Sequence, residues 1–293
     1  AEIARESILR SDAGRSFIFI FIAGAVLFFY TRKMFNGTVL AVVLGILVIA
    51  DLALVDYRYL NKDNYVKKQE MKNPFAMQGR PHAADEMIHQ DKDPNFRVWN
   101  QLARLDQDAG TSYFHKSLGG YHGAKLRRYQ ELIDFHIYKN NRGVINMLNT
   151  KYVIRSGQDN QPAVIQNPEA LGNSWFVSEF KIVANADSEI TAMTGFDPAQ
   201  TAIVDKRFET NLKGLSPKKD SAASVITLES YKANELVYKS NNSGEGLAVF
   251  SEIYFENGWN AYVDGKLTPH FRANYVLRAM RIPAGEHKVE FKF

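Results

Sequence analysis

The chain has 293 residues, 45% hydrophobic and 23% charged, and its 36 Lys and Arg against 32 Asp and Glu leave a formal net charge of +4. The cations are scattered rather than massed, which argues against a nucleic-acid surface and suits one beside anionic lipid headgroups. Cysteine is absent, so thiol catalysis, disulfides and cysteine metal sites are excluded and any fold outside the cytoplasm must be held by its core alone.

Mean hydropathy of −0.29 marks most of the chain as ordinary soluble protein. The exception is residues 16–56. Ser16 to Tyr30 reads SFIFIFIAGAVLFFY, and after a short polar break Gly37 to Val55 reads GTVLAVVLGILVIADLALV. A helix crosses a bilayer with about 20 mostly apolar residues. The second run meets this with one charge, Asp51, and the first does so if Ile8 and Leu9 extend it. Residues 1–56 are therefore expected to form a transmembrane helical hairpin, with spans at about 8–31 and 37–56. Two buried helices of a soluble core are the plainer alternative, but runs this pure favour lipid. No small-residue cleavage site follows the first run, so it is not a cleavable signal peptide. Asp51 either reaches the headgroup region or faces other membrane helices. Lys and Arg flank both spans evenly, and charge counting selects no orientation.

Residues 57–79 read as a polar strap, and His82 to Gln90 as a short helix after Pro81. Phe96 to Trp99 alternates like a strand. Ala109 to Gly123 is turn-rich, and a helix is expected after Gly123, with Leu126, Tyr129, Ile133 and Ile137 on its apolar face. Arg142 to Leu148 reads as helix, Lys151 to Arg155 and Trp175 to Val183 as strands, and Asp187 to Met193 as a short helix. From Thr201 the pattern is all-β. Short β-branched and aromatic runs at 202–204, 224–230, 235–239, 247–254, 259–263, 275–282 and 287–293 are spaced as in a sandwich. Asp264-Gly265 signals a hairpin, and Pro283 to Glu286 a turn. The expected fold class is α+β. Its parts are the hairpin, a membrane-proximal α+β region at 57–200, and an antiparallel β-sandwich at 201–293.

The densest polar stretch is Thr111 to Tyr129, with His115, Lys116, Tyr121, His122, Lys125, Arg127 and Arg128. Glycines there permit close approach to a ligand, and a phosphate-bearing ligand suits the cations. A packed loop before an exposed basic helix explains the same residues. No Walker or dinucleotide fingerprint is present. His115 and His122 are seven apart, as are His82 and His89, which is no recognised zinc spacing, and no metal is expected. Trp259, Tyr262, Asp264, Asn274, Tyr275 and Arg278 combine aromatics with hydrogen-bonding groups, as a sugar-binding face would. Strand aromatics serve equally as core.

These residues also carry a resemblance. Phe250 to Phe293 contains Gly258-Trp259, Asp264-Gly265, Ala273-Asn274-Tyr275-x-Leu277-Arg278 and Pro283-Ala284-Gly285-x-His287. In this it resembles the C-terminal signature of the YfhO family of bacterial multi-spanning membrane proteins. Ser112 to Tyr129, Asn146 to Tyr152 and Asn167 to Val177 resemble blocks of its Bacteroidetes-type branch. The resemblance implies a GT-C-like glycosyltransferase that uses polyprenyl-phosphate-linked sugars to decorate envelope glycans or lipids. It also implies a setting in the bacterial inner membrane, with the soluble part on the periplasmic side and further transmembrane helices of a parent protein as partners. In that family the catalytic carboxylate lies in an early extracytoplasmic loop. No residue here matches it, so no catalytic residue and no cofactor are expected in this chain, whose part would be substrate positioning. The alternatives are a non-enzymatic, membrane-tethered carbohydrate-binding module using Trp259 and Tyr262, and a structural lid.

Overall fold

The computed structural model describes residues 2–65, 82–158, 161–217 and 224–293. The chain is α+β and divides into two units, Ala1–Met77 and Gln78–Phe293. The strap expected at 57–79 lies outside the described residues beyond Tyr65.

In the first unit α1 (Glu2–Thr31) and α2 (Gly37–Tyr59) are long and apolar enough to cross a bilayer. At 1.5 Å per residue α2 covers roughly 34 Å, against a hydrocarbon layer about 30 Å thick. The apolar stretch of neither helix is buried by the chain itself. Side chains such as Phe17, Phe21, Val42 and Ile49 are left exposed, and they need an apolar surrounding. Asn36 caps α2 by accepting from the Val39 amide at 2.9 Å. At the other end of the pair, Arg15 meets Asp51 at 3.0 Å. Arg58 grips Asp12 through two guanidinium nitrogens at 2.8 and 3.1 Å. Arg15 and Thr31 are about 24 Å apart along α1, so this network and the loop bracket the apolar stretch. Asp51 thus finds its cation inside the hairpin, as charges in lipid must.

Among its described residues the second unit contains four sheets. The first joins β1 (Arg97–Asn100), β2 (Thr150–Ser156) and β3 (Pro162–Gln166) in that order. One of its faces, with Val98, Ile154 and Val164, packs on Ala84 and Ile88 of the helix His82–His89. Two antiparallel sheets form the C-terminal region. One has the order β12 (His270–Ala273), β13 (Leu277–Ile282), β9 (Gly246–Ile253), β4 (Ser174–Val177). The other has the order β11 (Lys266–Thr268), β10 (Asn260–Val263), β14 (Gly285–Lys292), β8 (Glu235–Asn242), β7 (Val225–Lys232). Strand alternation sends Phe176, Tyr238, Phe250, Met280 and Phe291 into the space between them. Phe250 packs edge-on against both Tyr238 and Phe291, each at 4.9 Å between centroids. The opposite face of the four-stranded sheet, through Val249, Phe271, Leu277 and Ala279, joins a core with Leu132, Ile137, Met147 and Ile203.

Several elements differ from the sequence expectation. The single strand expected at Trp175–Val183 is two. At Ser178, whose amide and hydroxyl both donate to Gln200 O, the chain leaves β9. It continues as β5 (Glu179–Val183), which pairs in parallel with β6 (Thr201–Asp205). Through β4, the C-terminal sheets take a strand from upstream of residue 200. The helix expected after Gly123 begins at Arg127 and widens into a π-helical turn at Ile133–Ile137. That turn adds a residue to the helical repeat, so the buried row is Leu132, Ile133, His136 and Ile137; Leu126 precedes the helix as its extended N-cap residue and stays exposed. The strand expected from Tyr275 starts at Leu277, because Asn274 and Tyr275 form a turn. β3, β11 and β12 were not anticipated. Asp264-Gly265 is the expected two-residue hairpin turn, with φ of 49° and 78°, linking β10 to β11.

Candidate functional site

The loop before Arg127 is pinned to β1. Val98 donates to Lys116 O and Leu118 donates to Val98 O, both at 2.9 Å. Gly119 then passes so close to Leu105 that a Cβ would lie 2.1 Å from its carbonyl oxygen. The close approach that this glycine permits is therefore to backbone, not to a ligand. The Tyr129 hydroxyl donates to Leu118 O from below.

This folding divides the predicted cluster. His115 turns inward, with its side chain 3% exposed, and its Nε2 lies 2.8 Å from Asp85 Oδ1. Its ring is 4.8 Å from that of His89. Lys116 places its ammonium 3.4 Å above the Tyr231 ring and donates to Asn95 Oδ1 at 2.9 Å; desolvation lowers its pKa. Tyr121 is exposed and lines neither cleft described below. His122 and Lys125, by contrast, line a cleft of about 260 Å³ with Arg97 and Tyr129. Arg127 and Arg128 line another of about 310 Å³ with Tyr254, Asn257, Arg272 and Tyr275. Leu126 and Ile253 border both, so the two clefts adjoin along these residues, and their cations outnumber the one lining carboxylate, Glu256, to make a basic groove.

The wall of that groove is a strained turn. Asn274 and Tyr275 have φ of 47° and 70°, and left-handed geometry is costly for a tyrosine. The surroundings hold it. Asn274 donates its amide to Ile203 O and accepts from the Ile203 amide through Oδ1, both at 2.8 Å. The Tyr275 amide donates to Glu189 Oε1 at 3.0 Å, and its hydroxyl to Glu131 Oε2 at 2.5 Å. Glu189 is fully buried on the helix Ala186–Ala192. Its Oε2 lies 3.2 Å from Arg272 and 3.5 Å from Arg128. Asp205 is 3.5 Å from the same Arg272 nitrogen, while Arg272 Nε finds no partner among the described residues. Burial raises the Glu189 carboxyl pKa against the opposing pull of Arg272. Hydrogen bonding from Tyr275, with help from Arg127, lowers that of Glu131. Arg128 spans this network and the groove, with its guanidinium 4.5 Å above the Tyr275 ring.

Glu189, Asp205 and Arg272 escaped the sequence reading. Arg272 adjoins the Ala-Asn-Tyr signature, which could have flagged it. Nothing in the spacing of Glu189 or Asp205 signals burial beside it.

Apart from Tyr275 in the groove wall, the candidate sugar-facing residues occupy separate structural roles. Arg278 is 3% exposed. Its guanidinium stacks on Trp259 at 4.1 Å, its Nε donates to Ile253 O at 3.3 Å, and Nη1 finds no partner among the described residues. Burial lowers its pKa. Trp259 also packs on Phe293. Tyr262 is half-buried, with Lys292 5.5 Å from its ring centroid. Asn274 is wholly buried in its turn. Asp264 sits at the hairpin turn beside a wide cleft of about 800 Å³. There it accepts from the Lys288 amide at 2.8 Å and meets His287 Nδ1 at 2.6 Å. No three metal-ligating side chains gather among the described residues. No family model, curated protein or solved structure matches the chain.

Proposed function

We propose that residues 82–293 are the extracytoplasmic, substrate-positioning part of a bacterial membrane glycosyltransferase similar to the YfhO family. Its donor is a polyprenyl-phosphate-linked sugar and its acceptor a cell-envelope glycan or lipid. In this reading α1 and α2, alongside further helices of a parent protein, anchor the region, and its periplasmic side follows from the resemblance to that family. The observation that supports the reading is the basic groove. His122, Lys125, Arg127 and Arg128 border it, and Arg272 lies beneath. Guanidinium and ammonium groups bind phosphate oxygens through charge-assisted hydrogen bonds. Among the described residues the exposed Arg127 guanidinium is held by Glu131 alone, at 2.9 Å, so a phosphate competes for it easily. Arg128 is kept in place by Tyr275 and Glu189, which pre-orients it for a ligand.

No residue here is assigned the role of catalytic base. Glu189 is engaged by Arg272 and the Tyr275 amide, and Glu131 by Tyr275 and Arg127. A carbohydrate-binding face built on Trp259 and Tyr262 is disfavoured, because Arg278 covers the Trp259 ring. Replacing Arg127 and Arg128 with Ala in the intact membrane enzyme should weaken transfer at least about tenfold, chiefly through KM for the lipid donor. Unchanged turnover removes the assignment.

A further inference from the structure

We propose that the cleft between the helix Arg142–Met147 and the face of the β1–β2–β3 sheet turned away from the helix His82–His89 binds an acidic oligosaccharide, held by Arg142 and Arg155 over an apolar floor of Val153 and Ile165. The strand register makes the floor. Trp99 pairs with Val153, and Val153 with Ile165, so the three form one apolar row across the sheet. Trp99 is buried at the core end of this row, and the half-buried Val153 and Ile165 present its apolar surface to a sugar ring. The cleft is about 490 Å³, within the range of small-ligand sites.

Its rim is polar and has capacity to spare. Among the described residues, the side chains of Gln101, Asn140, Arg142, Arg155 and Gln166 make no hydrogen bond or ion pair, yet all line this cleft. Planar amides of this kind match sugar hydroxyls, which both donate and accept. One further group is already oriented. Asn167 Nδ2 donates to Asn146 Oδ1 at 2.8 Å, Asn146 Nδ2 donates to Glu169 Oε2 at 3.3 Å, and the Glu169 amide donates to Asn167 Oδ1 at 3.2 Å. The Glu169 carboxylate is thus fixed as an acceptor at the rim.

Charge then selects the ligand. Two unpaired guanidiniums face one carboxylate, leaving one net positive charge. This is too little for a polyphosphate chain, and it suits a sugar carrying one carboxylate, which a guanidinium grips with two parallel bonds. This cleft shares no lining residue with the basic groove, and the inference stands apart from the function proposed above.

The test is calorimetric titration of the full chain in nanodiscs with sialyllactose, a trisaccharide carrying one carboxylate, its methyl ester and inorganic phosphate. The acid should bind at least about tenfold more tightly than the ester or phosphate. In the Arg142→Gln/Arg155→Gln variant that advantage should vanish. Both arginines are exposed, so the variant keeps its fold, which its melting temperature verifies. Absence of saturable binding overturns the proposal. So does equal binding of the ester or of phosphate, or acid binding that survives the double substitution.

Discussion

Glu189→Ala is the most informative single change to the site. The carboxylate is fully buried and holds three groups: the Tyr275 amide, Arg272 and Arg128. Its loss leaves a buried amide unsatisfied and leaves Arg272 with only Asp205, at 3.5 Å. Removing one partner of a buried ion pair costs about 3–5 kcal/mol. The amide penalty belongs to the same event and does not add in full. In a domain of this size each kcal/mol lowers Tm by about 2–4 °C, so a loss of roughly 6–20 °C is expected. Glu189→Gln keeps an acceptor for Tyr275 while losing the charge, and it should fall between parent and Ala. The control is Glu209→Ala, an exposed carboxylate without such partners, which should stay within about 0.5 kcal/mol. Scanning calorimetry of the three variants reads the series. A Tm for Glu189→Ala within 2 °C or so of the parent refutes the claim that this carboxylate holds the strained turn.

Other consequences can be read separately. Gly119→Ala drives a Cβ into the Leu105 carbonyl, a backbone atom that cannot rotate away, and should cost about 1–3 kcal/mol or more in denaturant titration; wild-type stability would show that the loop shifts freely. Two histidines should titrate in opposite directions by NMR. The hydrogen bond that His287 donates to Asp264, then the one it donates to Ala284 O, raises its pKa, so its contribution to stability is complete below its ordinary value near 6.5 and is lost as pH rises through the folded value. Burial and then Arg278 lower His270 to about 4, so its contribution is present above 6.5 and is lost as pH falls towards 4. Identical midpoints for the two rings contradict both environments. The cysteine-free chain also permits topology mapping: with the chain in sealed vesicles, Met34→Cys and Lys62→Cys should label with an impermeant maleimide from opposite faces. Labelling of both from one face would mean the helices lie on the membrane or outside it.

The extent to which the sequence disclosed this molecule follows the range of the forces involved. α1 and α2 were legible because their apolar runs are local and continuous. So was the Asp264-Gly265 hairpin, since turn chemistry resides in two adjacent residues. The Asn274–Tyr275 turn was not. A tyrosine in left-handed geometry contradicts local preference, and it is held there by Glu189 and Ile203, 86 and 71 positions away from their partners. The division of Trp175–Val183 was likewise hidden, because contacts with Gln200 decide it. Within the candidate site, the positions of Arg127 and Arg128 were visible as charge on a helix. That His115 faces Asp85 while His122 faces a cleft was not, because that depends on how Val98 pins the loop between them.

The central claim is that the groove beside Leu126 recognises a lipid-linked phosphate. The most direct test is binding of a polyprenyl phosphate, with the matching polyprenol as reference, to the chain in nanodiscs. The phosphate should bind at least about tenfold more tightly than the alcohol, and Arg127→Ala/Arg128→Ala should erase that difference. Equal binding of the two lipids, or a phosphate preference that persists in the double variant, would contradict the account.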